Sequence, residues 1–277
     1  MIPKIIHYSW FSDEPFPEII KSYIETWKKY LGDYKFVLWD AEALAKVNST
    51  FANEAVSVGK WAFAADFIRL YAVYNYGGIW LDTDIELFGS FDSFLGHRMF
   101  IGAEFTHHDV PLKKVLGSHC FGAEAGHPFL KDCLEYYNGR HFINCQSERI
   151  PIHMRFDMTL LPIIQANIAI EHYGFNAEYL TPDVEQVLDE DIHVYPSYYF
   201  DRPNFSSMKD VVCIHKCFGT WLSDKGTYDD TKYLYIYPKG VKYIILKIER
   251  GIRTFLYDKL NVSFLRRRSK FIHDDMF

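Results

Sequence analysis

The chain has 277 residues, about half of them apolar and 18% aromatic, and a formal charge of −6. That length suits one large domain or two small ones, and the acidic balance argues against a nucleic-acid-binding role for the chain as a whole. No run of about 18 apolar residues is present to span a bilayer. Met1 to His7 show neither an apolar h-region nor a small-residue cleavage site, so no signal peptide is expected, and five irregularly spaced cysteines read as reduced thiols of a cytosolic protein.

Residues 4–10 read as a first strand, after which Pro15 and Pro17 break the chain. Residues 18–31 carry helical apolar spacing at Ile19, Ile20, Tyr23, Trp27 and Leu31. Residues 34–39 read as a second strand, and strand–helix–strand is the opening of a parallel α/β sheet. Residues 56–76 read as one long helix closed by Gly77-Gly78, a tight structural turn rather than a phosphate-cradling loop, since no Walker or GxGxxG pattern surrounds it. Residues 79–81 form a short buried strand with Asp82-Thr83-Asp84 at its carboxyl end, the edge where open α/β sheets bind ligands. Further strands are expected at 98–104, 118–123, 192–195 and 211–215, and helices at 127–138 and 158–173. Residues 1–238 are expected to form one domain.

From Lys239 to Lys270, ten basic residues face only Glu249 and Asp258, which leaves that stretch at +8 and the rest of the chain at −14. Val241, Ile245, Ile248, Ile252 and Leu256 recur there at helical spacing. Residues 239–277 therefore read as a basic amphipathic helical tail, either packed on the domain with a solvated basic face or lying on an anionic membrane.

Asp82 and Asp84 are two apart, and on a strand such residues share a face. Two carboxylates buried together repel, at a cost of roughly several kcal/mol unless a cation neutralises them. Mg²⁺ held by carboxylates and substrate phosphates is the usual solution, Mn²⁺ accepts the same ligands, and either can act as a Lewis acid on a departing diphosphate. The tripeptide alone reads equally well as a solvated acidic turn. Asp66 and Arg69, at i and i+3, share a helix face and form either a structural ion pair or a polar site. His215 ends a late apolar strand and is either a third metal ligand or a satisfied core histidine. Cys213 and Cys217 flank it like half a zinc knuckle, but no second half exists, so a zinc finger is rejected.

The run KWAFAADFIRLY from Lys60 to Tyr71, followed by YNYGGIWLDTD from Tyr74 to Asp84, resembles the signature of glycosyltransferase family 32. These are DXD-containing sugar transferases, among them yeast-type mannosyltransferases and bacterial capsule-synthesis enzymes, with a core related to that of the clostridial glucosylating toxins. Pro3 to Phe11 resembles the family's first strand. His215 with Thr220-Trp221 resembles its last motif, with Thr220 in place of Ser. The resemblance spans residues 3 to about 222. It implies a GT-A fold, a Rossmann-like α/β sheet flanked by helices, and a retaining transfer of a hexose from a UDP- or GDP-sugar donor to a saccharide acceptor.

The same resemblance assigns Mn²⁺ or Mg²⁺ to Asp82, Asp84 and His215. It places Asp66 and Arg69 as catalytic residues at the donor sugar, Trp10 on the nucleobase, Tyr8 and Thr83 among the donor contacts, and Trp221 on a closing segment. The group that faces the reacting sugar is not legible: neither Asp157 nor Glu124 falls in a matching motif. With the basic tail, the expectation is a cytoplasmic enzyme, peripheral on the inner face of the membrane, that builds surface polysaccharide; a membrane-docked tail suits a lipid-linked acceptor. Two other readings stay open, a metal-dependent nucleotidyltransferase and a non-catalytic saccharide-binding protein on the same fold.

Overall fold

The computed structural model describes residues 1–105, 114–147, 149, 152–178, 183–201 and 210–217; Thr220, Trp221 and the basic tail lie outside the described residues. The opening follows the apolar pattern. Strand β1 (Ile5–Ser9) leads to helix α1 (Glu18–Tyr30), which buries Ile20, Tyr23 and Trp27, and then to β2 (Lys35–Trp39), paired in parallel with β1. Two short helices follow, α2 (Ala41–Ala45) and α3 (Thr50–Ser57). Each starts at a side-chain cap: Asp40 accepts from the Ala43 N–H and Ser49 from the Ala52 N–H.

The single helix expected over 56–76 is two helices. α3 stops at Ser57, Gly59 takes a left-handed φ of 69°, and α4 (Trp61–Tyr76) begins two residues later. Gly59 supplies the break because glycine adopts that conformation without a Cβ clash. After α4 come β3 (Gly78–Leu81), β4 (Ile85–Leu87), β5 (Met99–Phe105) and β6 (Lys114–Ala123), then helices α5 (Pro128–Glu135), α6 (Ile152–Arg155) and α7 (Leu161–His172). The described chain continues through β7 (Gln186–Leu188), β8 (Ile192–Tyr195), α8 (Ser197–Phe200) and β9 (Cys213–His215).

Seven strands form one sheet in the order β2-β1-β3-β6-β5-β8-β7, and β4 pairs with β9 in a separate two-stranded ribbon. The expectation of an α/β sheet flanked by helices holds, with one qualification: the sheet is mixed. β6 runs antiparallel to both β3 and β5, and β7 antiparallel to β8, whereas the remaining pairs are parallel. The chain leaves β1 toward β2 and returns on its other side as β3. The carboxyl ends of β1 and β3 thus flank a topological switch point, where ligands bind in open α/β sheets.

Side chains alternate across the sheet as a pleat requires. Trp80, Phe121, Met99 and Ile101 join a core beneath α3, α4, α5 and α7. Ile79, Leu81, Cys120 and Phe100 join a second core, with Trp27 of α1 and Phe91, Phe94 and Phe200. All ten residues of β6 are buried, so this central strand is covered on both faces. The α4–β3 junction is fixed by Gly78: its φ is 109°, and a Cβ there would lie 2.6 Å from the Ile5 carbonyl oxygen. His7 spans the same junction, accepting from Trp39 Nε1 through Nδ1 and donating from Nε2 to the Gly77 carbonyl. It is a buried structural residue whose pKa is lowered by burial.

Candidate active site

Asp82 follows β3 directly, and Thr83 and Asp84 form a turn into β4. Strand geometry therefore does not align the two carboxylates, contrary to the expectation from their spacing. The Ile85 N–H donates to the Asp82 carbonyl at 3.1 Å and the Asp82 N–H to His119 of β6 at 2.9 Å, which anchors the turn to the sheet. Convergence comes from this turn together with β9. In the β4–β9 ribbon Ile85 is opposite His215, and the Lys216 N–H donates to the Asp84 carbonyl at 3.0 Å. One ligand atom each from Asp82, Asp84 and His215 fall within 4.8 Å of one another.

The charges around the turn are graded. Arg69 lies on α4 beneath Trp80, 5.5 Å from the ring centroid, and its Nη2 is 3.3 Å from both Asp66 and Asp82 Oδ1. Its remaining donors are spent on the carbonyls of Ala65 and Ser118 and on the Ser118 hydroxyl. Trp80 Nε1 donates to the same Asp82 oxygen at 2.7 Å. Burial raises the pKa of Asp82, against the pull of Arg69. Burial likewise raises that of Asp66 to about 7, although Arg69 and the Leu161 N–H oppose the rise. One arginine thus shares its charge between two carboxylates, and neither is fully neutralised by it.

His215 presents Nε2 to Asp84 at 3.4 Å, while its Nδ1 is 3.3 Å from Cys217 Sγ. Burial disfavours an imidazolium there, but Asp84 and Cys217 outweigh it and raise the pKa well above the usual histidine range. His119 stacks on His215 with centroids 4.2 Å apart and planes at 16°. Burial, then the charge of His215, hold His119 neutral. Its Nε2 donates to the Phe200 carbonyl at 3.2 Å, which fixes the plane against which His215 rests. Carboxylates plus an imidazole, with positive charge already drawn between them, suit a divalent cation such as Mn²⁺.

The other expected donor contacts are spread along the same edge. Trp10 follows β1, rests on Phe16 at 4.8 Å, and donates from Nε1 to the Glu14 carbonyl, leaving the indole partly exposed. Tyr8 is a packing residue, edge-on to Trp27 at 5.6 Å. Thr83 is half-buried at the apex of the turn. Trp221 lies outside the described residues. Glu124 pairs with Arg98, and Asp157 caps Thr159 beside Arg140, both as parts of local structural networks. Cys213 turns from His215 to the Phe200 carbonyl in the core, so the two cysteines do not share a ligand set.

Ser118, His119 and Trp80 are the members that sequence reasoning missed. Trp80 could have been suspected, since it stands two residues before Asp82 and on the α4 face of the sheet. Ser118 and His119 carry no local signal, because their partners are Arg69 and His215 on distant elements.

Two carboxylates and an imidazole thus meet at the carboxyl edge of the α/β sheet, where open sheets bind ligands. Comparison with known proteins narrows the reading. Residues 17–101 match the model of the family described as glycosyltransferase sugar-binding region containing DXD motif. Two relatives in Schizosaccharomyces pombe are inositol phosphoceramide mannosyltransferases 3 and 1. They are 28% identical over 136 and 157 residues, covering 47% and 51% of this chain but only 35% and 45% of theirs. The chain thus matches less than half the length of either relative. Among solved structures, the PaToxG glycosyltransferase aligns at 18% identity and a TM-score of 0.40, covering 61% of this chain and 68% of that one. A glycosyltransferase involved in glycosylation of the major capsid of PBCV-1 aligns at 13% identity and a TM-score of 0.40, covering 77% and 93%.

Proposed function

We propose that this chain is a metal-dependent, retaining hexosyltransferase that moves a sugar from a UDP- or GDP-sugar to a saccharide acceptor. The observation that carries the reading is the meeting of Asp82, Asp84 and His215 at the end of β3, with both aspartates inside the segment that matches the DXD family model and His215 brought to them by β9. Asp82, Asp84 and His215 would hold Mn²⁺ or Mg²⁺, which supplies Lewis-acid stabilisation of the departing diphosphate. His215 must give up its Nε2 proton to serve as a ligand, so metal affinity falls as the pH falls. Arg69 supports the sugar–phosphate region by holding Asp82 and Asp66 in place. Asp66, one helical turn before Arg69, offers its carboxyl group to donor-sugar hydroxyls. Trp10 offers a flat, partly exposed ring to the nucleobase, with Tyr8 and Thr83 as further donor contacts.

Among the described residues no carboxylate is assigned here as a nucleophile. Retention would then follow from acceptor attack on the face the diphosphate leaves, with the departing phosphate taking the acceptor's proton. The names of the two fission yeast relatives support a hexose as the transferred group and an acceptor carried on lipid. A lipid-borne acceptor gives the basic segment 239–277 a role at an anionic membrane surface, with residues 1–238 as the catalytic domain and a cytoplasmic, membrane-peripheral location. Synthesis of surface polysaccharide is the setting that fits such an enzyme.

Product analysis tests the reaction. Incubation with a nucleotide sugar, acceptor and Mn²⁺ should release the nucleoside diphosphate. Pyrophosphate release would instead indicate nucleotidyl transfer, and donor binding without turnover a saccharide-binding protein.

A further inference from the structure

A second cluster of ligating side chains stands on the other edge of the sheet. β3, β5 and β8 run in one direction, and Asp82 lies past the carboxyl end of β3. His97 precedes β5, Asp191 precedes β8 and His193 is its second residue, so all three lie at the amino ends of these strands. One ligand atom from each falls within 4.8 Å of the other two. None of them takes part in the candidate active site.

Each of the three is held by a partner through the atom that a metal would not use. Glu185 Oε1 accepts from His193 Nδ1 at 2.7 Å, which turns Nε2 toward Asp191 Oδ1 at 3.1 Å. The Arg98 N–H donates to Asp191 Oδ2 at 2.9 Å and so leaves Oδ1 facing the histidines. Tyr195 Oη lies 2.9 Å from His97 Nε2, which leaves Nδ1 as the ligating nitrogen. Carboxylate–histidine pairs of the Glu185–His193 kind orient metal-bound imidazoles and raise their basicity. Glu190 and Asp191 both adopt left-handed φ, 59° and 58°, a strained turn that sets Asp191 at the entry to β8.

We propose that His97, Asp191 and His193 form a Zn²⁺ site, with Glu185, Tyr195 and the Arg98 amide as its supporting shell. Two imidazoles and one carboxylate with a fourth position for water suit Zn²⁺ far better than Mg²⁺ or Ca²⁺, which take oxygen ligands. The rings of His97 and His193 lie face to face, 3.6 Å between centroids and 24° between planes. Lone pairs in stacked rings run side by side, so capture of the ion turns the half-buried His97 ring out of the stack. Tetrahedral zinc needs ligand atoms about 3.4 Å apart, a spacing that His193 Nε2 and Asp191 Oδ1 already approach at 3.1 Å. The ion would tie the turn before β5 to the β7–β8 edge of the sheet, far from the sugar-transfer chemistry.

The test uses the full chain, stripped with EDTA, and Zn²⁺ alone as probe. A His215→Gln background removes the residue shared by the two other groups that could hold the ion, Asp82–Asp84–His215 and His119–Asp201–His215, and circular dichroism confirms folding of each variant. Equilibrium dialysis should show one Zn²⁺ bound by that chain. Adding His97→Ala should weaken its binding by at least about a hundredfold, since losing a ligand exceeds the tenfold to hundredfold cost of losing a supporting residue. His193→Gln, which keeps a polar side chain at the position, should do the same should His97→Ala fail to fold. No zinc uptake in the His215→Gln chain, or uptake of equal affinity after either His97 or His193 is replaced, overturns the proposal. None of these outcomes depends on sugar transfer.

Discussion

At Asp82 both Trp80 Nε1 and Arg69 Nη2 fall on the same oxygen, Oδ1, so Oδ2 is the one that can turn to a cation. Asp82→Asn keeps an acceptor for Trp80 and removes the charge. Transfer should fall by at least about a hundredfold, more than a supporting residue costs, with an unchanged circular dichroism spectrum; near-normal activity at saturating Mn²⁺ would count against the assignment. Asp66 makes a separate prediction. Its folded pKa, about 7, exceeds its usual 3.8, so between these values the folded chain holds more protons than the unfolded one. The contribution of Asp66 to stability then falls as the pH rises from about 4 to 7, by on the order of a few kcal/mol. In metal-free protein, urea midpoints at pH 5 and pH 8 should differ less for Asp66→Asn than for the native chain. Equal slopes would show that Asp66 is not the group responsible. The two aspartates and their partner His215 were readable from residue type and motif. Their geometry was not, because a turn held by β6 and β9, rather than strand pleat, brings the side chains together.

Among the elements, the junction of α4 and β3 is the most constrained. Gly78 combines a φ of 109° with close approach to the Ile5 carbonyl and His7. Gly78→Ala should destabilise the chain by about 1–3 kcal/mol or more, read as a lowered urea midpoint; a loss below about 0.5 kcal/mol would mean that the junction relaxes freely. The glycine pair was legible as a turn, as were α1 and the strands that alternate or run apolar for four or more residues. Gly59, which separates α3 from α4, was present but outweighed by continuous helical spacing on either side. β4, β7 and β9 have three residues each, too few for a period of two to register. β6 was read for only its second half, because a strand buried on both faces has no alternation to mark its start.

At the scale of the molecule, strand order places Asp82–Asp84 and the His97–Asp191–His193 cluster on opposite edges of one sheet, and no single segment of sequence carries that relation. The basic tail is the reverse case, a property of composition alone. Liposome flotation with anionic vesicles should show the full chain floating and a chain ending at Pro238 staying in solution. Equal partitioning of the two would remove the tail from membrane docking. No helix among the described residues is long and apolar enough to cross a bilayer.

The measurement closest to the central claim is thermal unfolding with UDP and GDP, each with and without Mn²⁺, in the native chain and in Asp84→Asn. A ligand that binds only the folded state stabilises it by roughly 2.7 kcal/mol at a hundred times its dissociation constant. One nucleotide should raise the midpoint of the native chain only when Mn²⁺ is present, and the rise should vanish in Asp84→Asn. A rise of the same size without the metal, or one that survives the substitution, would contradict a diphosphate site built on Asp82, Asp84 and His215.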